Sequence, residues 1–148
     1  MRYAPFVTLL AALARVQRRL EGDGLGLLVW DAYRPVRATL AMVEWTHRVG
    51  REAPVRDGYI AARSRHNLGV VIDLTPVDAA SRAPLAMGTE FDTFSTAAHT
   101  DSATGPVMAN RDRLRRAMAA EGWQSYAQEW WHFGFALERP LRFDVPVR

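Results

Sequence analysis

Hydrophobic residues recur with two periods along this 148-residue chain, and the change between them marks out its elements. Phe6, Leu9, Leu10, Leu13, Val16 and Leu20 fall at helical spacing, with Arg15, Arg18 and Arg19 on the other side. The spacing predicts a packing helix from Phe6 to Leu20, stopped by the glycines at 22, 24 and 26. LGLLVW (25–30) then reads as a buried strand ending at Asp31. Pro35 suits a first helical position and Gly50 a stop, so a second helix is expected over 36–48. Its inner face is expected to carry Val36, Leu40, Val43 and His47. After a polar connection, Gly69 breaks any helix, and Val70-Val71-Ile72-Asp73-Leu74-Thr75 is β-branched and strand-like. Residues 76–106 lack periodicity and read as a hairpin followed by a long loop, of the kind that is often functional. A third helix is expected over 111–121, capped by Asn110 and ended by Gly122. Strands at 123–126 and 130–137 close the chain. The expected class is α+β, helices packed on a mostly antiparallel sheet, in one domain spanning 1–148.

Composition narrows the chemistry. The hydrophobic content of 49% and charged content of 24% are ordinary for a globular protein. There is no cysteine, which excludes disulfides, thiolate ligands and thiol nucleophiles. There is no lysine either: all 19 basic residues are arginine, which removes Schiff-base and P-loop lysines. Imidazole chemistry rests on His47, His66, His99 and His132 alone. The arginine clusters at 15–19 and at 111, 113, 115 and 116 read as solvated helix faces, not a nucleic-acid surface. No apolar run reaches the ~20 residues of a membrane span. The amphipathic N-terminal helix is unlike a signal peptide, so a cytoplasmic location is expected over a periplasmic or secreted one.

Asp73 interrupts a greasy strand, and a buried carboxylate without a partner costs several kcal/mol. His66 precedes it by seven residues, an odd offset that a regular strand sends to the opposite face. The two converge only if His66 lies in the loop before the strand and Gly69 bends the chain. In EWWHF (129–133), Glu129 and His132 also fall on opposite faces, unless Glu129 sits where the strand begins or a bulge turns it. Together these residues are the inventory of a catalytic zinc site: three ligands, an open position for water, and a carboxylate for its proton. WDAYRP (30–35) adds Arg34, either an ion-pair partner of Asp31 or a cation aimed at a developing oxyanion. MGTEFD (87–92) adds Asp92.

These stretches resemble the D-alanyl-D-alanine dipeptidases of the VanX type. Those are zinc peptidases of a group that includes DD-carboxypeptidases, lysostaphin-type enzymes and the hedgehog signalling domain. The pattern S-x-H-x-x-G-x-x-x-D is met by Ser64, His66, Gly69 and Asp73, and E-x-x-H by Glu129 and His132. WDAYRP, MGTEFD and the helix NRDRLRRAMAAEGW follow in the expected order. The resemblance implies a hedgehog/DD-peptidase-like fold and one Zn²⁺ per chain, held by His66, Asp73 and His132. It implies Glu129 as general base, Arg34 as oxyanion partner, Asp92 on the substrate's ammonium and Ser64 beside the substrate. The implied reaction is hydrolysis of D-alanyl-D-alanine or a similar small D-amino-acid dipeptide. Its alternatives are a carboxypeptidase or endopeptidase on longer peptidoglycan stems, or a non-catalytic zinc domain that recognises peptides. Relatives carry a further N-terminal portion that closes the dipeptide pocket, whereas this chain starts at the following helix. Asn67-Leu68 and Val70-Val71 replace smaller or more polar residues, and are expected to reshape the pocket floor.

Overall fold

The computed structural model describes residues 4–137, 140 and 144–146, with side chains from residue 7 onward. Helix α1 (Ala4–Glu21) leads into β1 (Leu25–Asp31), α2 (Val36–Arg48) and a short α3 (Ala53–Arg56). A 3₁₀ turn (Arg65–Leu68) then feeds β2 (Val71–Asp78). After a long loop come α4 (Gly105–Ala119), β3 (Trp123–Tyr126) and β4 (Glu129–Phe135). The strands form one antiparallel sheet in the order β1-β2-β4-β3. No helix among the described residues is long and apolar enough to cross a membrane.

β2 lies inside the sheet and is buried from Val71 to Val77. Its residues alternate between faces. Ile72 and Leu74 join the core with Leu9, Ala12, Val16 and Leu20 of α1, Leu114 and Met118 of α4, and Trp123 and Phe133. Asp73 and Thr75 therefore belong to the other face, which the long loop covers with Met87 and Phe91. Glu121, just beyond α4, pairs with both Arg15 and Arg19 of α1 and ties the two helices together.

Several expectations from the sequence are corrected. Leu10 is exposed, because α1 buries the Leu9–Ala12–Val16–Leu20 stripe and a small Ala12 lets the helix sit close. The side chain of Phe6 lies outside the described residues. β1 is an edge strand with Leu28 and Val29 exposed, not a buried one; an apolar run alone does not tell an edge from a centre. In α2 the inner positions are Thr39 and Thr46, while Leu40 is 52% exposed and His47 is exposed. The Thr46 hydroxyl satisfies itself on the Val43 carbonyl, so a polar residue can face inward. The expected hairpin after β2 is reduced to a single bridge between Val77 and Pro84. α4 starts at Gly105, six residues before expectation, because Pro106 occupies the first turn, where its missing N–H is harmless. Asn110 is thus no cap, and its amide donates to the Ala86 carbonyl. Arg111, expected on a solvated face, is 3% exposed. Its guanidinium donates to the carbonyls of Met87, Ala97 and His99, so it pins the long loop to α4.

Candidate metal centre and its cleft

Three irregularities in otherwise regular elements build the site. The first is the 3₁₀ turn. The Ser64 side chain accepts from the His66 amide at its start, and Gly69 ends it at φ 62°, a left-handed conformation that glycine adopts without strain. That turn carries His66 back over the strand it precedes. The second is a bulge in β1 at Trp30, after which Asp31 stands opposite Asp73. The third is in β4. Its register against β3 jumps between the pairs Ser125–Phe133 and Tyr126–Glu129, while His132 stays paired with Asp73 on the β2 side. Residues 130–132 leave the β3 ladder, and Glu129 is turned toward the same cleft as His132.

The result is a compact cluster. One ligand atom each from His66, Asp73 and His132 lie within 4.8 Å of one another. The Nε2 of His66 is 3.3 Å from one Asp73 carboxylate oxygen, and Nδ1 of His132 is 2.9 Å from the other. Nδ1 of His66 donates to the Ala32 carbonyl at 2.7 Å, which leaves Nε2 as the free lone pair facing Asp73. Two imidazoles and a carboxylate, with a backbone carbonyl orienting one ring, are a donor set that fits Zn²⁺. Burial alone would lower the His66 imidazole, but Asp73 and Asp31 outweigh it and hold it above its ordinary value. Burial likewise opposes Asp73, and the two histidines together keep it below the usual carboxylate range.

Glu129 is buried beside this cluster, 3.7 Å from Nδ1 of His132. Loss of hydration, with the charges of Asp73 and Asp92 added, pushes its carboxyl up to about 7. Arg34 is the ion-pair partner of Asp31 that its sequence position allowed. It pairs with Asp31 through Nε at 2.8 Å and through Nη2, and it also lines the cleft. No described residue accepts from its Nη1. Asp92, at the cleft's rim, has φ 58°, a conformation that aspartate tolerates better than most residues. Its neighbour Phe91 is stacked on Trp30 at 4.6 Å and edge-on to Trp131 at 5.6 Å, which fixes the chain on which Asp92 stands. Desolvation first, then Asp73 and Asp31, raise the Asp92 carboxyl to about 6, with Arg34 and His66 opposing. The cleft encloses about 290 Å³, and Ser64 lies on its wall.

Some contributors went unsuspected. Asn67 does not form the pocket floor. It is fully buried, and its amide donates to the Arg34 carbonyl and the Thr39 hydroxyl, stapling the Arg34 loop to α2. That role explains why α2 buries a threonine. Tyr59, Phe94 and Tyr126 line the cleft, with the Tyr126 ring 5.4 Å from that of His132. Nothing in their sequence surroundings distinguishes them from core aromatics.

Comparison with known proteins identifies the family. A family described as D-ala-D-ala dipeptidase (Peptidase M15) matches residues 7–141. The chain is 39% identical to a D-alanyl-D-alanine dipeptidase of Streptomyces coelicolor, over 94% of this chain and 77% of that protein. It is 31% identical to one of Enterococcus faecium, over 93% of this chain and 76% of that protein. Among solved structures it resembles a vancomycin-resistance D,D-pentapeptidase, a VanY mutant from a VanB-type cassette in complex with Zn(II). There the TM-score is 0.50 at 14% identity, covering 84% of this chain and 68% of that one, a likeness of fold.

Proposed function

The chain belongs to the D-ala-D-ala dipeptidase family of M15 metallopeptidases, and from that premise we propose a zinc-dependent dipeptidase. Its substrate would be D-alanyl-D-alanine or a similar small D-amino-acid dipeptide. The observation that carries this reading is the meeting of His66, Asp73 and His132 within 4.8 Å, with Glu129 beside them.

His66, Asp73 and His132 would hold the ion. When bound, Zn²⁺ lowers the pKa of a water toward 7 and polarises a carbonyl. Glu129 accepts a proton from the attacking water and delivers it to the departing amine. Its buried position beside His132 suits both transfers. Arg34, held rigid by Asp31, presents Nη1 to the oxygen that turns negative as the carbonyl is attacked. Asp92 receives the substrate's free ammonium. The Ser64 oxygen already accepts from the His66 amide, so its own O–H remains to donate to the substrate.

Release of D-alanine from D-Ala-D-Ala by the purified chain tests the proposal. Chelation should abolish it and zinc should restore it. A zinc-loaded chain that leaves the dipeptide intact would sink the reading.

A further inference from the structure

A dipeptide carries a charge at each end. Asp92 accounts for the ammonium, and Arg34 is committed to Asp31 and the reacting carbonyl, so the carboxylate still lacks a cation. Arg65 follows Ser64 in the 3₁₀ turn, is exposed, and lines the cleft. No described residue hydrogen-bonds or ion-pairs with its guanidinium. That guanidinium lies over Gly134. A Cβ there would meet Nη1 at 3.1 Å, and Cζ and Nη2 at 3.4 Å each. A glycine inside a strand often marks such a close approach. Gly134 pairs with Val71 and His132 with Asp73, so the two stand on one face of β4, two positions apart. The guanidinium thus fills the slot that the next side chain after His132 would occupy.

We propose that Arg65 binds the C-terminal carboxylate of the substrate, an inference that rests on the dipeptidase reading and adds to it a requirement for a free C-terminus. The spacing agrees. Two strand positions cover about 7 Å, and a peptide's last residue spans about 3.5 Å. A carbonyl held beside His132 therefore leaves the terminal carboxylate about one hydrogen bond, ~3 Å, from the guanidinium. The planar fork of arginine matches a carboxylate, and an unpaired arginine has no internal competitor to displace. With Asp92 at one end and Arg65 at the other, the cleft measures out two residues. A chain extended beyond the second residue places a neutral amide where Arg65 expects a charge.

The test is calorimetry on the zinc-loaded Glu129→Gln protein, with D-Ala-D-Ala and its C-terminal amide as probes, so that turnover does not interfere. The acid should bind about 10- to 100-fold more tightly than the amide. Arg65→Ala should bring that ratio close to one, and Arg65→Lys should restore part of it. Gly134→Ala, whose methyl displaces the guanidinium, should shrink it too. Arg63→Ala removes a charge from the same rim without the seat on Gly134, and should leave the ratio intact. Equal affinities in the parent, binding of neither probe, or an unchanged ratio in Arg65→Ala would overturn the proposal. If the ratio behaves as expected but the native enzyme cleaves no D-Ala-D-Ala, Arg65 keeps its role and the dipeptidase reading falls instead.

Discussion

Asp73 and His132 face each other across the β2–β4 ladder, with the imidazole Nδ1 2.9 Å from the carboxylate. Cross-strand partners hold their side chains at a separation set by backbone hydrogen bonds, so two of the three proposed ligands are placed before any ion arrives. Substituting His66, Asp73 or His132 by alanine should leave the purified protein with well under one zinc per chain by elemental analysis. Zinc in the native protein should also raise its stability. At a free concentration 100 times Kd the gain is about 2.7 kcal/mol, readable as a higher Tm than that of the chelated protein.

Glu129→Gln keeps the shape of the side chain and removes its ability to take a proton. The expected loss in kcat is on the order of 10²- to 10⁴-fold, with zinc content unchanged. A variant that lost its zinc along with its activity would assign Glu129 to holding the metal instead of moving the proton.

Asp92→Asn should raise KM for D-Ala-D-Ala by roughly 10- to 100-fold, the worth of one charge-assisted contact. The native enzyme should discriminate against N-acetylated dipeptide, and the variant should not. An Asp92→Asn enzyme that still discriminates would show that the ammonium is bound elsewhere.

Arg111 and Arg113 sit two residues apart in one arginine cluster, yet the structure separates them. Arg111→Met leaves three loop carbonyls without their donor and should cost about 3 kcal/mol, a fall in Tm of roughly 6–12 °C. Arg113→Ala, at an exposed position, should stay within about 0.5 kcal/mol. Thermal unfolding of the two variants checks the contrast.

Acid should weaken the clasp between α1 and α4. The side-chain hydrogen bonds from Arg15 and Arg19 hold the Glu121 carboxyl below its ordinary value. The folded protein therefore binds this proton less readily than the unfolded chain. The stabilisation is present above the unfolded value of about 4.3 and is lost as pH falls through the lower, folded one. Glu121→Gln should lower Tm at neutral pH, and its difference from the native protein should shrink as pH falls below that unfolded value. Added salt should shrink the same difference.

The sequence revealed the chemistry of this site more fully than its architecture. His66, Asp73, Glu129 and His132 could be picked out because each is an anomaly, a polar group that an apolar strand or its flank has no reason to keep. The odd spacings even called for a bend at Gly69, and for Glu129 to stand at the strand's entry or be turned by a bulge. The helix faces were harder. Thr39 turns inward because Asn67 needs an acceptor, and that pairing joins residues 28 apart, beyond any local pattern. Arg111 looked like its neighbours because nothing in a run of arginines tells which one meets three carbonyls. The start of α4 is hidden from the sequence because Gly105-Pro106 reads as loop until Pro106 is seen as the opening of a helix. Arg65 lies inside the most informative motif of the chain, but its meaning depends on a glycine 69 positions later.

The register jump in β4 has a consequence for how this protein can vary. Trp130, Trp131 and His132 lie between one frame set by β3 and another set by β2, and the count of three is what lets Glu129 and His132 share a cleft despite their odd separation. Changing which residue stands at 130 or 131 alters packing. Changing how many residues stand there reverses the side from which the carboxylate approaches. Libraries that exchange letters within EWWHF should therefore yield survivors, while a one-codon insertion or deletion should yield none. The segment is a measured length before it is a motif.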